Sequence, residues 1–130
     1  MGSKTLSASS CETTPDVSGI VRRYYELVDA KDFAAMSRLF ADEVIYHRPG
    51  YAPMRGLSQV LAFYEQIRVI ESGRHELHTV VTDGSTVAVT GTFEGRVKGG
   101  RRVTQAFADF FEVENGQIVT RSTYFDAPAL

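Results

Sequence analysis

The chain has 130 residues, 43% of them hydrophobic and 23% charged, with 14 basic and 16 acidic side chains and a net charge of −2. That length fits one domain, and a chain of this size buries roughly two thirds of the surface it exposes when unfolded, so a real core is available. The composition excludes a disordered or collagen-like chain. The slight acidity argues against a general nucleic-acid binder, and no apolar run reaches the ~20 residues needed to span a bilayer.

Residues 1–14 are small and polar and are expected to form a disordered tail, followed by a single domain over residues 15–130. The single cysteine, Cys11, falls in that tail and has no internal disulfide partner. No apolar leader is evident, and a cytoplasmic location is expected.

Thr14-Pro15-Asp16 predicts the start of a first helix, with Thr14 capping and Pro15 at the first helical position. Val17, Ile20, Val21, Tyr24, Leu27 and Val28 follow at helical spacing. Asp32 can cap a short second helix that turns Phe33, Met36, Leu39 and Phe40 inward. Val44 to Arg48 reads as a strand ended by Pro49-Gly50, and residues 50–56 read as a loop. Leu57, Val60, Leu61, Tyr64, Ile67 and Arg68 mark a third helix, stopped near Gly73.

The second half changes character. Asp83-Gly84, Gly99-Gly100 and Asn115-Gly116 are hairpin signals between β-rich runs. They predict strands at about 74–82, 85–97, 101–113 and 117–126, paired as an antiparallel meander. Strands this long must twist and curl. Three helices before a curled sheet make an α+β domain, with the helices closing one face of the sheet into a cone.

On the strand 101–113, alternation puts Val103, Phe107, Phe111 and Val113 on one face, with Asp109 in the middle of it. A carboxylate in an apolar wall is costly unless paired or protonated, which makes Asp109 a candidate site residue. The alternative is a structural Asp bound to a backbone amide or an arginine. His47 and Arg48 point to opposite sides of their strand, so one of them faces the interior. Arg48 facing in would pair with Asp109 or bind a ligand oxygen, whereas His47 facing in could act as a base. The basic stretch from Arg96 to Arg102 reads as a solvated hairpin tip. His75 and His78 fall on opposite faces, so no metal pair is expected there. Asp126 either closes the cone mouth or caps the last strand.

Taken together, Ile20-Val21-Arg22-Arg23-Tyr24-Tyr25, Leu39-Phe40-Ala41-Asp42-Glu43-Val44, Phe107-Ala108-Asp109-Phe110-Phe111 and Glu114-Asn115-Gly116-Gln117-Ile118-Val119, with Tyr124-Phe125-Asp126, resemble the nuclear-transport-factor-2-like superfamily over residues 16–126. Within it the chain looks like the SnoaL-like and ketosteroid-isomerase-like proteins. The fold hosts many chemistries, so the resemblance implies the cone more strongly than an activity.

By resemblance to ketosteroid isomerase, Tyr24 matches the tyrosine of the oxyanion hole and Asp109 its protonated aspartic acid. The isomerase's general base falls at Arg48, which cannot abstract a carbon-bound proton, so steroid isomerisation by that route is not expected. By resemblance to scytalone dehydratase, His78 and Asp29 would be the acid/base pair. The acid–arginine–acid group of limonene-epoxide hydrolases would fall near Gly91, Phe93 and Thr123, where neither an acid nor an arginine stands. Epoxide hydrolysis by that arrangement is therefore not expected.

These readings imply a cofactor-free, metal-free enzyme of secondary metabolism. It would cyclise, isomerise or dehydrate a polyketide-like or terpenoid-like carbonyl compound in an apolar pocket. Tyr24, Asp109, His78 and Asp29 are the candidate catalytic residues. Arg48, His47, Tyr46, Phe63, Tyr64, Phe107 and Phe111 are the candidate substrate-binding residues, with Phe33, Phe40 and Phe93 as further walls. The expected ligand is a small hydrophobic organic molecule, with no nucleic acid or membrane as partner. A homodimer is expected through the outer sheet face, with Val87, Val89 or Phe110 exposed according to strand phase. The alternative is a non-catalytic ligand-binding or dimeric interaction domain of the same fold.

Overall fold

The computed structural model describes residues 16–127. Cys11, Thr14, Pro15 and the expected tail lie outside the described residues. Among the described residues, no helix is long and apolar enough to cross a membrane.

Helix α1 spans Val17–Asp29. Asp16 is its N-cap and accepts a hydrogen bond from the Ser18 amide at 3.2 Å. The helix buries Val21, Tyr24, Tyr25, Leu27 and Val28, a stripe at the spacing that lies on one helical face. Each such apolar side chain contributes about 1.5–3 kcal/mol by leaving water. Lys31, in a left-handed backbone conformation, reaches the Glu71 carbonyl at 2.7 Å and ties the end of α1 to the sheet. Helix α2, Phe33–Ser37, is capped by Asp32 as its sequence suggests.

Strand β1 covers Phe40–His47 and β2 covers Met54–Arg55. β1 begins four residues before the alternating run, because Asp42 and Glu43 both lie exposed where the pairing to the last strand is irregular. Helix α3, Leu57–Ala62, then widens into a π-helical turn over Phe63–Ile67. The turn is closed by the Arg68 amide donating to the Phe63 carbonyl at 2.8 Å. The wider turn buries the consecutive residues Phe63 and Tyr64 and sets Arg68 at the domain's interior.

Four long strands complete the chain: β3 Ile70–Asp83, β4 Thr86–Val97, β5 Arg102–Glu114 and β6 Gln117–Phe125. The sheet order is β2-β1-β6-β5-β4-β3. The last four strands form the expected meander, and β1 adds to β6 in parallel. Asn115 and Gly116 both take positive φ, the conformation a two-residue hairpin turn requires. Gly73 does not stop a helix; it lies inside β3. A Cβ there would come within 2.2 Å of the Phe93 ring and 2.7 Å of the Glu94 carbonyl, so the missing side chain lets an aromatic ring lie on the backbone.

Two bulges set which side chains enter the cone. On β3, Leu77 pairs with Gly91 and Thr79 with Thr90, leaving His78 as the extra residue. On β6, Ile118 pairs with Val113 and Thr120 with Glu112, leaving Val119 as the extra residue. Ile118 and Arg121 are therefore both buried although they are three residues apart. β5 follows the expected phase, with Gln105, Phe107, Asp109, Phe111 and Val113 inward. Val87 and Val89 point into the core, so of the three candidates for the outer face Phe110 is the one exposed.

Candidate functional site

The site is built around a buried ion pair. Asp109 has 0% exposure. Arg121 grips it with both edges of its fork, Nε donating to Oδ1 at 3.2 Å and Nη2 to Oδ2 at 2.9 Å. The Tyr25 hydroxyl also donates to Oδ2 and the Thr123 hydroxyl to Oδ1. With both oxygens surrounded by donors, Asp109 accepts hydrogen bonds and has none to give. An inward-facing Arg48 is one partner the sequence allows for Asp109; the partner is Arg121, brought in by the β6 register that sets Arg121 beside Phe111 on β5 and Tyr46 on β1.

Arg121 also donates from Nη1 to Tyr64 Oη at 2.7 Å and to the Tyr24 hydroxyl, and it lies over the rings of Tyr24 and Tyr46 at 4.8 and 4.7 Å. Burial works against its charge, but Asp109 and the surrounding phenols outweigh burial and hold the guanidinium well above its ordinary value. The Tyr24 and Tyr64 hydroxyls hydrogen-bond each other. One of the two O–H groups is spent in that bond, which leaves the other to donate to a ligand. Burial pushes Tyr24 well above a normal phenol and Tyr64 upward, with Arg121 opposing both, so both remain protonated donors. At Tyr46, burial acts upward too, yet Arg121 and Arg48 together bring that phenol down.

A second pair joins α1 to β3. Asp29 accepts from the His75 backbone amide at 2.8 Å, and its other oxygen lies 2.6 Å from His75 Nδ1. Burial lowers the His75 pKa and outweighs the upward pull of Asp29. A neutral ring with its proton on Nδ1, donated to Asp29, leaves Nε2 as the acceptor. The ring packs between Tyr25, Phe93 and Phe107, at 5.0, 4.9 and 5.4 Å.

His78, the histidine expected to partner Asp29, is on the outer face. Its side chain is 52% exposed, near Glu76 and Thr92. Between the register shift at Ile70–Ser72 and the bulge at His78, the odd positions Gly73, His75 and Leu77 of β3 are the less exposed ones, so His75 takes the place assigned to His78. Of the strand pair, Arg48 is buried and His47 exposed. Arg48 Nη1 donates to Tyr46 Oη at 2.8 Å, and its guanidinium sits over Phe63 and Phe125 at 5.1 and 5.2 Å. Phe111 packs behind the site on Tyr24 and Tyr25, and Phe33 packs on Tyr64. Phe40 also lies behind the site, on Tyr24. Asp126 accepts from Gln105 at 2.9 Å. The basic hairpin tip is exposed, with Arg96 bonded to the Gly100 carbonyl.

These groups border one cavity, lined by Tyr24, Tyr64, His75, Arg121, Arg48 and Arg68, with Phe93, Phe107 and Phe125 as aromatic walls. Its open space is about 20 Å³, enough for a water or two. Neither Arg121 nor Arg68 stands in a motif that marks a site residue, and on β3 it is His75, not His78, that borders the cavity.

Solved structures share this architecture. An NTF2-like protein of unknown function from Burkholderia pseudomallei superimposes with a TM-score of 0.79 at 24% identity, over 87% of this chain and 92% of that one. An LEH-like epoxide hydrolase from M. tuberculosis gives 0.75 at 21%, over 85% and 82%. A protein from Pseudomonas putida named as a polyketide cyclase gives 0.73 at 23%, over 86% and 92%. At these identities the likeness establishes the fold. The sequence of residues 21–121 matches the SnoaL-like domain, and the chain belongs to that family.

Proposed function

We propose that the protein is a cofactor-free acid/base enzyme acting on a small polyketide-like or terpenoid-like carbonyl compound, by cyclisation, isomerisation or dehydration. The observation that carries the reading is the Asp29–His75 pair on the same cavity as the Tyr24–Tyr64 hydroxyls. His75 Nε2 takes a proton from carbon next to the carbonyl, and Asp29 fixes the ring and its tautomer. The spare phenolic O–H donates to the oxygen where charge develops, polarised by Arg121. Asp109 positions Arg121 and does not itself donate. Arg48 stands at the same cavity as a further oxygen-binding group.

The test is exchange of the α-protons of 2-tetralone in D2O, followed by NMR. Exchange should be catalysed by the wild type, abolished in His75→Ala, strongly reduced in Asp29→Asn and unchanged in His78→Ala. Catalysis that survives His75→Ala overturns the assignment.

A second reading is favoured by the closed Asp109–Arg121 pair: a domain that binds a small molecule without turning it over. Tight ligand binding with no exchange would select it. Under either reading we propose a homodimer through the exposed outer sheet face.

A further inference from the structure

At the end of the π-helical turn a cation is buried with no counter-charge among the described residues. Arg68 is 8% exposed, and its Nε, cut off from solvent, has no hydrogen-bond partner among the described residues. Among the described residues no carboxylate lies within ion-pairing distance of it. Its guanidinium stacks over the Tyr64 ring at 5.5 Å and borders the cavity. Buried polar groups in native proteins find partners, and buried charges are paired. The acids of this interior are already engaged, Asp109 by Arg121 and Asp29 by His75. Neither is within ion-pairing distance of Arg68.

We propose that this cavity, whose open space of about 20 Å³ must widen by movement of its aromatic walls, binds the carboxylate of a flat, aromatic or conjugated organic acid, with Arg68 as its ion-pair partner and Phe93, Phe107 and Phe125 against its body. One unmatched cation calls for one negative charge. A guanidinium fork presents its donors in a plane that matches a carboxylate, and three phenyl walls favour a planar apolar body. The assignment deepens the enzyme reading by naming the substrate class, and it rests on that reading for turnover but not for binding.

Benzoate and its neutral isostere benzamide are the probes, titrated by calorimetry and by NMR of protein labelled with 15N-arginine. Benzoate should bind roughly tenfold or more tightly than benzamide, as a charged hydrogen-bond pair allows, and should shift the Arg68 Nε–H resonance. Arg68→Gln should remove the preference, and Arg68→Lys should keep part of it. Equal affinities, an unmoved Arg68 resonance, no binding of benzoate at millimolar concentration, or a preference that survives in Arg68→Gln each overturn the proposal. Tighter binding of phenyl phosphate than of benzoate overturns the carboxylate assignment. Should Arg68→Gln fail to fold, the two wild-type measurements still decide. Benzoate selectivity without 2-tetralone exchange removes the enzyme reading alone, and exchange with equal affinities removes this one alone.

Discussion

Asp29 holds His75 at two points, the ring nitrogen Nδ1 at 2.6 Å and the backbone amide at 2.8 Å, across 46 positions of sequence. The backbone bond fixes where the residue sits, and the ring bond fixes which nitrogen carries the proton. With the Nδ1 proton directed at Asp29, Nε2 is left as the ring's acceptor.

Acid should expose that arrangement. The folded pKa of His75 lies below its ordinary value of 6.5, because burial disfavours the charged ring. A group with a depressed folded pKa contributes stability that is complete above the unfolded pKa and is lost as pH falls through the folded one. Urea midpoints of the wild type should therefore decline as pH drops below about 6.5. His75→Gln should flatten that part of the profile, measured as the difference between the two proteins at each pH. Parallel profiles would contradict it.

Breaking the central pair should be severe. Arg121→Met leaves the Asp109 carboxylate enclosed without its main partner, and losses of about 3–5 kcal/mol are typical of such single removals. The double change Asp109→Leu with Arg121→Met should recover most of that loss, because no unpaired charge remains inside. Urea denaturation of the three proteins measures both effects.

Gly73→Ala is expected to destabilise by about 1–3 kcal/mol, the cost of overpacking. Alanine ordinarily stabilises by restricting the unfolded chain, so a loss measured by thermal denaturation would come from the Phe93 ring and the Glu94 carbonyl occupying the space.

The outer face offers its own measurement. Phe110 and Tyr124 are 47% and 59% exposed, with ring centroids 6.0 Å apart. Light scattering at micromolar concentration should give twice the monomer mass for the wild type. The pair Phe110→Glu with Tyr124→Glu should give the monomer mass, and a monomeric wild type would refute the dimer.

The architecture was legible because it rests on local signals. Asn115-Gly116 dictates its own turn, Asp32 its own cap, and the alternation of β5 placed Asp109 inside. The site was less legible because bulges change phase without leaving a mark in composition. Counting back from the Asn115–Gly116 turn without the extra residue pairs Phe111 with Thr120 and turns Arg121 outward. The available clue was that Asp109 needed a cation, and Arg121 lies within reach of one bulge. His75 was misplaced for a different reason: alternation separated it correctly from His78, and analogy chose the wrong face. Arg68 was read as one more residue of a continuous helix, and nothing in that periodicity announces a π turn.

The extra residue at Val119 has a consequence for how the last hairpin finds its alignment. A hairpin closed one step out of register keeps the same turn, yet it strands Asp109 in oil with no countercharge and wastes Arg121 on water. That error carries a penalty of several kcal/mol, larger than most differences between neighbouring alignments of an otherwise smooth strand. The salt link at the heart of the cone thus disfavours the misaligned strand.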